Sequence, residues 1–286
     1  MYLVQMSALI LVLAAVFYIW AILPNTDRRK RANEFANVKY AHRGLHNGEF
    51  PENSIGAFGN AIDNGFGIEI DVRLTKDNEL VVFHDDNLFR MCGIEKSVTD
   101  CTYEELLGYR LNGTEYKIPH LKDVLKFVDG RTELLIEIKE KDKEIAVSKA
   151  AIELLKNYNG KFAVQSFSPY SINYFARESG DFIRGILVGK GKGFKGFLKE
   201  NLIFNCYSKP DFISLNKDLS NLSIYINYKI CNIPAFCWTV KNSEEEKKSE
   251  SIFKTIIFEN FIPDPTRKDY NRKTKTNALR KNKGAL

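Results

Sequence analysis

Short β-branched and aromatic runs alternate with helix-period segments from about residue 38 to residue 260, and this alternation limits the fold more than any other feature. Candidate strands are 38–42, 67–72, 80–84, 133–138, 161–166, 183–187, 211–215, 233–239 and 254–258. Helical candidates lie between most of them. In 54–64, Ile55, Phe58 and Ile62 stripe one face and Gly65 stands where a C-cap would; 121–129 and 143–158 are two more. Parallel neighbours need a crossover, usually a helix, so the pattern implies a (β/α)8 TIM barrel. The runner-up is an open doubly wound sheet. It usually carries a Gly-rich phosphate turn after its first strand, and no G-x-G-x-x-G occurs here.

One place breaks the alternation. Strands 67–72 and 80–84 are too close for a crossover helix and should pair as an antiparallel hairpin. A tip at Asp77-Asn78 or Lys76-Asp77 would set Asp71 or Glu69 across from His84. In either register Glu69, Asp71 and His84 share a face. Residues 86–119 then form a small insertion after the second-strand hairpin, with one short helix near 102–108.

The chain ends differ from its middle. Residues 2–23 are apolar except for Gln5 and Ser7, and ~20 residues at ~1.5 Å rise span a hydrocarbon core. Tyr2 at one end, with Tyr18 and Trp20 at the other, suits interfacial aromatic belts, and Pro24-Asn25 stops the helix. A cleaved signal peptide would want positive charge before a shorter apolar stretch and a small-x-small site after it. Here the charge follows the run, and Ala21-Ile22-Leu23 is a poor site. A single transmembrane helix is therefore expected, with a basic linker at 24–37. Arg28, Arg29, Lys30 and Arg31 in that linker are expected to place the domain that follows on the cytoplasmic side of the cell membrane. The barrel would occupy 38–263. A basic tail, 264–286, carries eight Lys/Arg against two Asp and is expected to be disordered.

The +6 net charge belongs to these flanks: residues 32–263 hold 30 basic and 33 acidic side chains. A basic nucleic-acid-binding core is excluded, and so is disorder, at 44% hydrophobic residues. Cys92, Cys101, Cys206, Cys231 and Cys237 show no C-x-x-C pair. They fit free thiols in a reducing compartment. Lys190 to Phe197 interleaves lysines with glycines and phenylalanines after a strand. It is expected as a loop on the active-site face that could touch anionic lipid headgroups.

Three acids, Glu69, Asp71 and Glu137, sit near strand C-termini inside apolar runs. Burying one such carboxylate unpaired costs several kcal/mol, and three together repel unless a cation intervenes. Oxygen ligands suit a hard divalent cation, Mg²⁺ or Ca²⁺, with Mn²⁺ a third option. His42 and His84 end strands beside these acids and suit an acid/base pair, with His42 assigned as base and His84 as acid. Arg43 and Lys139 are placed to hold phosphate oxygens. His46 and His120 lack such a setting and are expected in loops or on the surface.

The ordered series Ala41-His42-Arg43-Gly44, Pro51-Glu52-Asn53-Ser54, Gly67-Ile68-Glu69-Ile70-Asp71-Val72, Thr75-Lys76-Asp77 and Val82-Phe83-His84-Asp85 closely resembles the glycerophosphodiester phosphodiesterase family. So do Leu135-Ile136-Glu137-Ile138-Lys139, Gln165-Ser166-Phe167 and Trp238-Thr239-Val240. The resemblance covers about residues 38–260. It implies a barrel that hydrolyses glycerophosphodiesters to glycerol 3-phosphate and an alcohol. A divalent cation would sit on Glu69, Asp71 and Glu137, with His42 and His84 as the acid/base pair. Arg43 and Lys139 would lie on phosphate, and Trp238 on the glycerol side. The last strand departs from the family's Thr-Asp-x-Pro, reading Ile257-Phe258-Glu259-Asn260. Two other classes compete: an inactive barrel serving as a membrane-tethered binding or regulatory module, and a scaffold whose tail does the work. The first predicts a broken set of polar residues, yet the set is complete. The expected partners are a small phosphodiester and the membrane, with no nucleic acid.

Overall fold

The computed structural model describes residues 2–141 and 143–263; the basic tail expected at 264–286 lies outside them. Nine strands follow in chain order: β1 (Tyr40–Ala41), β2 (Gly67–Leu74), β3 (Leu80–Val82), β4 (Leu134–Ile138), β5 (Phe162–Ser166), β6 (Ile183–Val188), β7 (Phe212–Asn216), β8 (Ala235–Val240) and β9 (Thr255–Phe258). All but β3 run parallel in one sheet, and β1 closes it by pairing with both β2 and β9. The barrel expected from the alternation is therefore formed. Helices Ile55–Asp63, Leu121–Val128 and Ala146–Leu155 stand where the apolar periodicity puts them. The first is capped by Ser54, whose side chain accepts the Ala57 N–H.

Side chains two apart on a strand share a face, so each strand serves two environments. Ile68, Ile70, Val72, Ile136 and Ile138 pack outward against the helices. The inward set begins, at the strands' N-terminal end, with an apolar layer that includes Tyr40, Leu135, Phe212 and Phe236. Ala32 and Phe35 of helix Arg29–Phe35 join this layer and close the barrel floor. One or two inward positions further along each strand come His42, Glu69, Asp71, Glu137, Gln165 and Trp238. The period of two sorts inward from outward side chains, and position along each strand then separates a dry floor from a polar mouth.

Three expectations need correcting. β3 pairs with β2 in the register Val72↔Val82, which sets Asp71 level with Phe83 rather than with His84. The cause is a loop one residue longer than a two-residue turn. Thr75 N donates to Glu79 O, and Asn78, at φ +63°, takes the left-handed position of a three-residue hairpin loop. His84 lies beyond the end of β3 and still reaches the site. Lys190 to Phe197 is not all loop, because Gly193–Glu200 is a helix whose stripe of Phe194 and Phe197 stays exposed. His120 is no surface residue. It is buried, caps helix Leu121–Val128 by accepting the Lys122 N–H, and holds Glu79 at 2.6 Å.

Residues 86–119 build a small core of their own, with Leu88, Met91, Val98, Leu106, Leu111 and Ile118 packed on Val81 and Phe83. The N-terminal helix, Tyr2–Ile22, is apolar on every side. Its segment Val4–Ile22 has a mean hydropathy of 2.2 and is 11% buried. That profile fits no water-facing helix, which would show a polar face.

Candidate active site

The residues expected to do chemistry converge on one cavity of about 170 Å³ at the C-terminal end of the barrel. It is lined by His42, Arg43, Glu69, His84, Glu137 and Lys139 on one side, and by Gln165, Phe167, Leu187 and Trp238 on the other. Asp71 lies behind the first group, fully buried.

The acids form a tight triad. One carboxylate oxygen from each of Glu69, Asp71 and Glu137 lies within 4.8 Å of the other two. Lys139 bridges two of them, at 2.9 Å from Asp71 Oδ1 and 2.5 Å from Glu137 Oε1, and Arg43 Nε stands 3.4 Å from Asp71 Oδ2. Backbone shape completes the cradle. Arg43 sits in the left-handed region at φ +56° and so donates its N–H to Glu69 Oε2 at 3.0 Å. Asn53, at φ +54°, donates its side-chain N–H to Asp71 Oδ2 at 2.9 Å. Such conformations are costly away from functional sites. Gly44 permits the turn, since a Cβ there would stand 2.9 Å from Ala57 and Phe58.

The charge balance leaves the triad short of positive charge. Burial pushes the Glu69 carboxyl well above its usual range, and repulsion from Asp71 and Glu137 adds to the shift. Burial likewise raises Glu137, with Lys139 opposing and Asp71 assisting. Asp71 goes the other way: burial would raise it, but Lys139, His84 and Arg43 hold it low. Two cationic side chains thus stabilise one carboxylate fully and leave two wanting a further cation. Three buried carboxylates with oxygen-only donors fit a hard divalent ion.

Each histidine is gripped at one ring nitrogen. His42 Nδ1 lies 2.6 Å from Glu259 Oε2, and Lys241 holds the other oxygen of Glu259 at 2.9 Å. His84 Nδ1 lies 2.6 Å from Asp85 Oδ1. A carboxylate on Nδ1 fixes the ring and leaves Nε2 as the free nitrogen. Burial lowers the His84 pKa, with Lys139 and Arg43 adding to the effect. Asp85 is in turn held by Arg90, which also pairs with Glu52, the partner of Arg43 at 2.8 Å. One arginine of the insertion thereby braces both His84, through Asp85, and Arg43, through Glu52.

The sequence pattern of the glycerophosphoryl diester phosphodiesterase family matches residues 42–187, about half of the chain. The chain belongs to this family of phosphodiesterases. It is 30% identical over 223 residues to the putative glycerophosphodiester phosphodiesterase YhdW of Bacillus subtilis, a match covering 74% of this chain and 89% of that one. A glycerophosphodiester phosphodiesterase of Bacillus altitudinis is 41% identical over 110 residues, 36% of this chain and 44% of its own length. Other early matches likewise span under two thirds of the relative, at 65% and 58%. Among solved structures, a phosphodiesterase of Oleispira antarctica in complex with the product sn-glycerol-3-phosphate superposes at a TM-score of 0.69. It shares 20% identity, with 86% of this chain and 98% of that one covered. At that identity the likeness speaks for the barrel alone.

Several site residues escaped the sequence reading. Glu259 stands two positions beyond the inward-facing Ile257, so the strand period could have found it in the stretch where the family pattern fails. Glu52, Asn53 and Asp85 lay in matched motifs without an assigned task. Arg90 comes from the insertion, and nothing in its local sequence marks it. Gln165 Oε1 and Trp238 Nε1 are buried and make no hydrogen bond among the described residues. Both border the cavity, which leaves an acceptor and a donor for a polar ligand.

Proposed function

We propose that the chain hydrolyses glycerophosphodiesters to glycerol 3-phosphate and an alcohol. The observation that carries this reading is the convergence of a three-carboxylate cluster, two cations and two carboxylate-held histidines on one small cavity. Glu69, Asp71 and Glu137 would hold a divalent cation, Mg²⁺, Ca²⁺ or Mn²⁺. Such an ion supplies Lewis-acid stabilisation of charge on the phosphoryl oxygens. Arg43 and Lys139 add fixed positive charge where the pentavalent state gains negative charge. One histidine takes the proton of the attacking hydroxyl as its oxygen bonds to phosphorus: attack by water gives glycerol 3-phosphate directly, whereas attack by the neighbouring glycerol hydroxyl gives a cyclic glycerol phosphate that a second attack, by water, opens to glycerol 3-phosphate. The other gives a proton to the departing alkoxide as the P–O bond breaks. Trp238 and Gln165 would meet the glycerol hydroxyls.

Tyr2–Ile22 would cross the membrane once and hold the barrel at its cytoplasmic face, on the strength of its length, its apolar composition and the basic residues that follow it. The substrate would be a water-soluble deacylated phospholipid. The test uses the full chain in detergent against a panel of glycerophosphodiesters. Chelation should abolish turnover, and added Mg²⁺, Mn²⁺ or Ca²⁺ should restore it. At ~100-fold above its Kd, the cation should also stabilise the fold by about 2.7 kcal/mol, read as a rise in Tm of several degrees. Full activity in excess chelator, with no shift in Tm on adding metal, would remove the cation from the proposal.

A further inference from the structure

The N-terminal helix is rooted in the barrel and not merely strung from it. Asn205 Nδ2 and Asn227 Nδ2 both donate to the Ile22 carbonyl, at 2.9 and 3.0 Å, and both asparagines are buried. Asn25 continues the grip, donating through its backbone to Pro210 O and through its side chain to Asp211 Oδ1. Carbonyls at a helix C-terminus have no partner within the helix, and here the barrel wall supplies donors to the last of them. The helix therefore leaves the barrel at a fixed place, between segment 193–209 after β6 and segment 221–231 after β7.

Those two segments, which hold the root through Asn205 and Asn227, also expose large apolar side chains. Phe194 is 76% exposed and Phe197 58% on one segment; Leu222 is 63% exposed and Ile230 67% on the other, with Tyr225 between them. The segments adjoin, since Asn221 Nδ2 donates to Glu200 O at 2.8 Å. Lysines are interspersed: Lys192, Lys195 and Lys229 are exposed, and Lys209 lies over the Trp20 ring at 5.9 Å. An apolar surface of this kind on a barrel that met only water would invite aggregation.

We propose that this surface lies on the bilayer that Tyr2–Ile22 crosses. Phe194, Phe197, Leu222, Tyr225 and Ile230 enter the headgroup region of an anionic leaflet, and the lysines contact lipid phosphates. The proposal rests on the membrane-spanning reading of Tyr2–Ile22. A bilayer is favoured over a protein partner because the patch lies on the same two segments that hold the base of a helix exposed over residues 4–17, which ties the surface around that helix to the patch. The mixture of aromatic, aliphatic and lysine side chains is the composition that partitions to an anionic interface.

Tryptophan quenching by brominated lipid tests this with the full chain. The protein is reconstituted in vesicles of phosphatidylcholine and phosphatidylserine, with or without bromine on the acyl chains. Phe197→Trp and Leu222→Trp probe the patch. Phe89→Trp, at an exposed position on the insertion, is the control. Retained turnover shows that each variant is folded. The emission added at 197 and at 222 should be quenched at least twofold more strongly than that added at 89, while native Trp20 is quenched throughout. If 197 and 222 behave like 89 while Trp20 is quenched, the barrel stands off the leaflet and the proposal fails, though the anchor survives. If Trp20 is unquenched as well, the anchor reading fails and the proposed surface fails with it.

Discussion

The two halves of the barrel mouth are built from different materials. The ends of strands β1, β2 and β4 contribute His42, Glu69, Asp71, Glu137 and Lys139, all ionisable, with the three acids and Lys139 clustered together and His42 held by Glu259. Strands β5, β6 and β8 present Gln165, Phe167, Leu187 and Trp238, with no charge among them. Phe167 and Trp238 pack edge to face, 5.6 Å between centroids. Both halves share the parallel-strand scaffold, so much of the difference lies in the inward residue at each strand end, with the β2–β3 hairpin adding His84 to the charged half. A phosphodiester of glycerol has the same division: an anionic reacting centre that needs counter-charge, and a carbon chain with hydroxyls that needs a wall and a few hydrogen bonds. The charged half should govern rate and the uncharged half substrate affinity.

The sharpest way to break that contrast is to remove a histidine. His42→Ala and His84→Ala should each lower kcat by ~10²–10⁴-fold with little change in KM. The variant lacking the acid should recover on a nitrophenyl ester, whose leaving group departs without help, and this assigns the two roles. If neither variant slows turnover, the charged half does not run the chemistry. Next in size is Glu259→Gln, which keeps the shape but replaces a charge-assisted hydrogen bond to His42. At about 1.5–3 kcal/mol for such a bond, kcat should fall ~10–100-fold. An unchanged rate would make the Glu259 contact purely structural.

The contrast was unevenly legible in the sequence. Acids inside apolar strands are conspicuous because burial of charge is expensive, so Glu69, Asp71 and Glu137 announce themselves without a structure. The uncharged half does not: Gln165, Phe167 and Leu187 look like any strand end, and only the period of two places them inside. The hairpin register was missed by one residue. The sequence shows how many residues separate the strands, but not that Asn78 adopts φ +63°. The bracing of His84 through Asp85 and Arg90 was beyond reach because it depends on how an insertion folds back over the barrel.

A smaller effect is expected in the uncharged half. Trp238 Nε1 is buried without an acceptor among the described residues, so a substrate hydroxyl would gain one donor there. Trp238→Phe keeps a ring against Phe167 and deletes that donor together with part of the indole's bulk. KM should rise about fivefold for the ~1 kcal/mol of one neutral hydrogen bond, with kcat within twofold. A fall in kcat with KM unmoved would place Trp238 with the charged half and blur the division.

The smallest effect concerns stability against pH, and it separates the halves without substrate. The Glu259 carboxyl is pushed down to about 2, chiefly by its hydrogen bond to His42, with burial opposing and Lys241 assisting. Its folded pKa thus lies below the ~4.3 of an unfolded glutamate. As the pH falls, the unfolded chain takes up the proton first. The stabilisation Glu259 provides is fully present above about pH 4.3 and drains away as the pH approaches 2. His84 slopes the same way in an earlier window. Burial lowers its pKa, so below ~6.5 an unfolded histidine gains a proton that the folded one resists. Urea midpoints of the full chain in micelles, measured from pH 7 to pH 3, should therefore carry a decline from Glu259 and His84 set against a rise from Glu69 and Glu137, whose raised carboxyls take up protons first in the folded state. Glu259→Gln should flatten the part of that decline below pH 4.3, because its amide does not titrate. Trp238→Phe should shift the whole curve without changing its slope. If Glu259→Gln instead runs parallel to the wild type, the Glu259–His42 contact carries no charge-dependent stability.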